Sequence, residues 1–138
     1  MKYAIVIVGL ILLTALIVYN SFEEYSIKEG ESFGINIGDS KEETYRNLSS
    51  FLSNFKGRND KIFVSVEVFG KDIDYLATRP GFKILVEPMF HENGINYYKT
   101  KDSWTFFINA SSLNFVELRF CNGKLCEIYR NKRPIELP

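Results

Sequence analysis

Residues 115–130, FVELRFCNGKLCEIYR, set two apolar-rich runs on either side of Asn122-Gly123. Both residues of that dipeptide tolerate positive φ, which is what a two-residue hairpin turn requires. The stretch predicts two antiparallel strands, 115–121 and 124–130, and so commits the C-terminal part of the chain to an antiparallel sheet. Cys121 and Cys126 flank the turn. A two-residue type I′ turn makes them diagonal neighbours on one face, and a four-residue loop over 122–125 sets them directly opposite. A type I turn with a bulge at Gly123 sends them to opposite faces. Register therefore decides between a disulfide and two reduced structural thiols, while the C-x4-C spacing does not match the C-x-x-C of thiol oxidoreductases.

Working upstream, residues 104–109 and 95–99 read as two more strands, with turns at 99–103 and 110–112. Trp104, Phe106 and Ile108 fall on one face and Phe107 on the other. The first face is core; the second is core or a contact surface. Phe82, Ile84 and Val86 alternate with Lys83 and Leu85 in a strand closed by Pro88, and Val64, Val66 and Val68 alternate with Ser65 and Glu67 in a half-buried strand. Between these two strands, 72–78 reads either as a short helix capped by Asp72 or as irregular chain, ended by Arg79-Pro80-Gly81.

Before residue 60 the period changes from 2 to 3.6. Ser40-Lys41-Glu42-Glu43 has the form of a capping box, and Tyr45, Leu48, Leu52 and Phe55 recur on one face. An amphipathic helix over 41–55 follows, with Gly57 to stop it. One helix followed by an antiparallel β-meander is an α+β domain with the helix on one face of the sheet.

Residues 4–19, AIVIVGLILLTALIVY, carry no charge. As a helix the run is about 24 Å long, a little short of the ~30 Å hydrocarbon core of a bilayer, with Tyr3, Tyr19 and Phe22 placed to extend it at the interfaces. Lys2 precedes it and Glu23 and Glu24 follow it, so the C-terminal part is expected outside the cytoplasm. Residues 1–21 read as an uncleaved transmembrane anchor or a cleaved signal peptide; bulky Tyr19 at the third place before the natural cut favours retention. Residues 22–33 read as a polar tether, and 34–138 as the exported domain. The expected location is the bacterial inner membrane, single-pass, with the domain in the periplasm.

The 138 residues carry 17 basic and 17 acidic side chains, a balance that argues against nucleic acid as a partner. Arg130, Lys132 and Arg133 read as a solvated strand end. His91 beside Glu92 lacks metal-ligand spacing, and Asp72 and Asp74 read as solvated loop charges rather than an acid–base pair. No nucleophile elbow, phosphate loop, dinucleotide glycine pattern or metalloprotease motif occurs. The chain is therefore expected to be no enzyme and to hold no metal or cofactor.

Gly38-Asp39-Ser40-Lys41-Glu42-Glu43 after Ile35 and Ile37, then Trp104-Thr105-Phe106-Phe107 and residues 118–125, LRFCNGKL, resemble the helix opening, tryptophan strand and hairpin of SmpA/OmlA (BamE-like) domains. The resemblance covers 34–54 and 104–130 and implies helices packed on an antiparallel sheet, as in the β-lactamase inhibitor protein. Family members are commonly lipoproteins, whereas no lipid-accepting cysteine follows this apolar run. The expected function is a membrane-anchored protein-interaction module, an assembly or scaffold component that binds another envelope protein through Arg119, Asn122, Lys124 and Arg130. The alternative is a periplasmic inhibitor or immunity protein that blocks a toxin or hydrolase through the loop 88–93. An envelope enzyme is the third reading.

Overall fold

The computed structural model describes residues 2–66, 82–85, 95–96 and 98–133. The apolar run forms α1, Lys2–Asn20. Its described side chains, 5–19, are all exposed. They include Leu12 at 64% and Tyr19 at 78%. Among the described residues, whose side chains in α1 are those of 5–19, no helix is long and apolar enough to cross a membrane.

The α+β expectation holds for the rest. β1 (Glu23–Ile27), β2 (Glu31–Ser32) and β3 (Ile35–Asn36) precede α2 (Lys41–Ser53). After α2 come β4 (Ile62–Val66), β5 (Phe82–Leu85), β6 (Ser103–Ile108), β7 (Asn114–Cys121) and β8 (Lys124–Lys132). A six-stranded sheet runs in the order β1-β8-β7-β6-β4-β5, and β2 and β3 form a separate small ribbon. Every pairing is antiparallel.

α2 starts where its cap dictates. The Glu43 N–H donates to Ser40 Oγ at 3.3 Å, and the Ser40 N–H donates to the Glu43 carboxylate at 2.9 Å, so two otherwise orphaned donors are satisfied reciprocally. It stops at Ser53 rather than at Phe55, because the Asn54 side-chain amide donates to the carbonyls of Ser50 and Phe51 and closes the last turn.

Cross-strand pairing shows which residues share the inner face. Arg130, Val116, Phe106 and Val64 stand in one row across the sheet, and Ile128, Leu118 and Trp104 in another. α2 lays Leu48, Phe51 and Leu52 into the same core, where each is nearly or fully buried. Each such side chain contributes about 1.5–3 kcal/mol relative to exposure. On the outer face Phe107 and Phe115 pack 5.9 Å apart and Phe115 and Tyr129 5.8 Å apart, all half-buried.

Two expectations are corrected. Residues 22–33 are not a tether, since β1 pairs with β8 from Glu23↔Lys132 to Ile27↔Ile128. Its sequence, EEYSI, alternates over only Tyr25 and Ile27, too short a pattern to read; β1 is an edge strand held by the hydrogen-bond ladder, by Ile27 against the core and by cross-strand polar pairs such as Lys132 Nζ to Glu23 at 3.1 Å. Residues 95–99 were expected to be a strand, yet Ile95, Asn96, Tyr98 and Lys99 are helical. The turn aims the Tyr98 carbonyl at the Trp104 indole N–H, 2.9 Å away, and buries the Tyr98 ring 5.0 Å from that of Trp104. The segment 72–78, with Asp72 and Asp74, lies outside the described residues.

Candidate interaction surface around the hairpin

β7 and β8 are joined by Asn122 (φ 53°) and Gly123 (φ 78°), and the pair Cys121↔Lys124 closes around them. Positive φ at both central residues makes this a two-residue type I′ turn, the first of the three registers compatible with the sequence. Further along, Phe120 faces Leu125 while Arg119 faces Glu127, so Cys126 is the extra residue of a bulge. The bulge changes the diagonal relation into one that brings the cysteine Cα atoms to 5.7 Å, and Cys121 and Cys126 are disulfide-bonded.

The hairpin is docked to the start of α2. The Gly38 N–H donates to the Leu125 carbonyl at 2.7 Å and the Leu125 N–H to the Asp39 carbonyl at 2.8 Å, with a further bridge between Ser40 and Lys124. Helix cap and hairpin tip therefore form one rigid corner.

Arg119 lies on the outer face and is half-exposed. It donates to Glu117 and to Glu127, each at 2.8 Å, and its guanidinium sits 5.7 Å from the centre of the Tyr129 ring. The hydrogen bond to Glu117, the charge of that carboxylate and the bond to Glu127 raise the Arg119 pKa above its ordinary value. Glu127 in turn is held below the usual carboxylate range, first by the Ser26 hydroxyl that donates to it at 2.6 Å and then by Arg119. Ser103 donates to Glu117 at 2.6 Å. β1, β6, β7 and β8 thus all contribute to one polar network on the outer face.

Arg130 is corrected from an exposed contact residue to a buried one, 2% exposed on the inner face. Its guanidinium donates to the carbonyls of Phe115 and Asn131, both at 2.9 Å, and to Asn114 Oδ1 at 2.7 Å. It stands 3.5 Å from the Glu23 carboxylate and 5.5 Å from the Phe55 ring centre. Burial lowers its pKa, and the nearby Glu23 opposes that shift.

The four expected contact residues are thus not one patch. Asn122 and Lys124 are exposed at the tip, Arg119 is on the outer face, and Arg130 is inside. Sequence reasoning missed Glu117, Glu127 and Ser26. Glu117 and Arg119, two apart in β7, were a readable outward pair, whereas Ser26 carried no signal because the alternation in β1 extends over Tyr25 and Ile27 alone. His91 and the loop 88–93 lie outside the described residues. Among the described residues no group of three His, Cys, Asp or Glu side chains is placed to hold a metal. No family model, curated protein or solved structure matches this chain.

Proposed function

We propose that this protein is a membrane-anchored, non-catalytic interaction module of the bacterial envelope, with α1 in the inner membrane and the α+β domain in the periplasm. A scaffold or assembly role fits it best, with the hairpin corner as the contact for another envelope protein. The observation that carries the reading is the junction of α1 with β1. α1 is apolar around its whole circumference, a surface that water does not tolerate at that length. Ser21 and Phe22 alone separate it from β1, and their N–H groups donate to the carbonyls of Val18 and Tyr19 at 3.0 and 3.3 Å. The domain is consequently seated on the helix end instead of being lifted off by a tether.

That junction also orients the domain. β1 leads away from α1 and β8 runs antiparallel to it, so the Asn122-Gly123 turn lies at the end of the sheet remote from α1. At about 3.4 Å per residue, the length of β8 separates that tip from the α1 end of the sheet by ~25–30 Å. The helix opening and hairpin that carry the resemblance to SmpA/OmlA domains sit together at this corner, which supports a contact role for it.

The test is fractionation of cells expressing the full chain with a C-terminal tag, combined with a photo-crosslinker at position 122. The expected result is retention in carbonate-washed membranes, a tag cut by protease only after the outer membrane is opened, and a crosslink to an envelope protein. Release by carbonate or a tag protected from periplasmic protease would overturn the anchor and orientation. A crosslink to a secreted hydrolase would replace the scaffold role with inhibition.

A further inference from the structure

The end of the domain that adjoins α1 is built from three segments: the α2–β4 loop, the β6–β7 turn and the end of β8. Backbone bonds hold them together. The Asn109 N–H donates to the Lys61 carbonyl at 2.7 Å, and the Arg133 N–H to the Leu113 carbonyl at 2.8 Å. Glu23, the first residue of β1 after the helix, pairs with Lys132 at the same end.

These segments bring Lys56, Arg58, Lys61, Lys132 and Arg133 to one end of the molecule. Arg58, Lys61 and Arg133 are exposed, and Lys56 and Lys132 half-buried. The carboxylates described there are already engaged. Asp60 accepts from the Gly57 N–H at 2.8 Å and the Asn109 amide at 2.7 Å. Glu23 is bonded to Lys132, and Glu24 accepts from Tyr129 at 2.9 Å and Arg133 at 3.3 Å. Among the described residues, Arg58 and Lys61 therefore stand at this end in addition to the cations that these carboxylates engage. At the opposite end Lys41 is paired with Asp102 at 2.8 Å and Lys99 with Glu42 at 2.7 Å.

We propose that this basic collar seats the domain on anionic phospholipid headgroups of the leaflet from which α1 emerges. The inference rests on the membrane-anchor reading. Two linking residues span at most about 7 Å, so the collar cannot move far from the headgroup layer. Lysines and arginines held within a Debye length of an anionic surface are attracted to it. Tyr19, 78% exposed, and Phe22, 45% exposed, flank the α1–β1 junction, and amphipathic and aromatic side chains favour the interface. Such seating fixes the tilt of the sheet and presents the hairpin corner outward.

Full chain is reconstituted into phosphatidylcholine vesicles and into vesicles in which phosphatidylserine replaces part of that lipid, then examined by flotation and by amide hydrogen exchange. The expected result is flotation with both lipids, but exchange at 54–61 and 109–113 at least about fivefold slower on the anionic vesicles. The slowing should vanish in about 0.5 M salt and in the Arg58→Glu/Lys61→Glu variant, whose Trp104 emission reports retained folding. Equal exchange on both lipids, with flotation intact, would overturn the collar and leave the anchor standing. Failure to float with either lipid would overturn the anchor itself.

Discussion

Tyr25 stands directly opposite Arg130 across the β1–β8 pair, so the strand that emerges from α1 covers the buried guanidinium. Burial raises the Tyr25 pKa, and the Arg130 charge acts against that rise. The same strand supplies Glu23, the carboxylate nearest the Arg130 Nε. The apolar helix is thereby coupled to the core: pulling on α1 draws β1 away from β8 and uncovers a cation that had left water.

The first expectation concerns that cation. Arg130→Ala removes the donor to Asn114 and to two carbonyls and leaves Glu23 without its buried partner, a loss of about 3 kcal/mol. Arg130→Met keeps the volume against Phe55 and should lose about half as much. Urea unfolding of the full chain in detergent, followed by Trp104 fluorescence, measures both. Equal losses would show that the hydrogen-bonded charge rather than packing dominates the site.

The second concerns the hairpin. The disulfide closes a short loop, so replacing both Cys121 and Cys126 with Ser should lower stability by about 2 kcal/mol. Register should survive, because the positive φ angles of Asn122 and Gly123 already specify the turn. Cross-strand nuclear Overhauser contacts between Phe120 and Leu125 would report it, and their loss would mean that the disulfide, not the turn, sets the pairing.

Legibility in the sequence followed the range of the interaction. Ser40 and Glu43 are three residues apart, and Asn122 and Gly123 adjacent, so the cap and the turn could be read locally and are present. Trp104, Phe106 and Ile108 announced their buried face by period. β1 could not be read that way, because EEYSI offers only Tyr25 and Ile27 as apolar residues and its partner lies about a hundred residues away. Arg130 ends a predicted strand beside Lys132 and Arg133, and composition alone put all three in solvent. The register that turns Arg130 inward is fixed by the bulge at Cys126, which no local pattern encodes. Tyr98 became helical because its carbonyl serves a single indole N–H, a tertiary demand invisible over five residues.

The third expectation separates contact from stability at Arg119. Its side chain is half-exposed, so Arg119→Ala should change stability by less than about 1 kcal/mol despite its two ion pairs. Recovery of an envelope partner on the full chain should nonetheless fall at least about tenfold, as arginines that anchor interfaces do. Arg119→Lys should not rescue it, since a single ammonium cannot bridge Glu117 and Glu127 while covering the Tyr129 ring. Undiminished recovery by the Ala variant would remove the outer face from the contact surface.

The last expectation is acid sensitivity, and its sign follows from the carboxylates. Glu127 is held below its ordinary range by Ser26 and Arg119, and Asp60 by the Gly57 N–H and Asn109. Glu43 is lowered in the same way by the Ser40 N–H and hydroxyl. A group whose folded pKa is depressed binds its proton more readily when unfolded, so its stabilisation is complete above the unfolded value and is lost as pH falls through the folded one. The urea midpoint should therefore be flat from pH 7 to about 5 and decline below about 4.5. Glu127→Gln supplies the control, because it lacks the ionised acceptor at any pH. It should be less stable than the parent at pH 7 and should converge on it as pH falls through the lowered folded value, where the parent's own Glu127 takes up its proton. A constant gap between the two curves across that range would show that Glu127 stabilises β1 and β7 through its shape and neutral hydrogen bonds rather than through its charge.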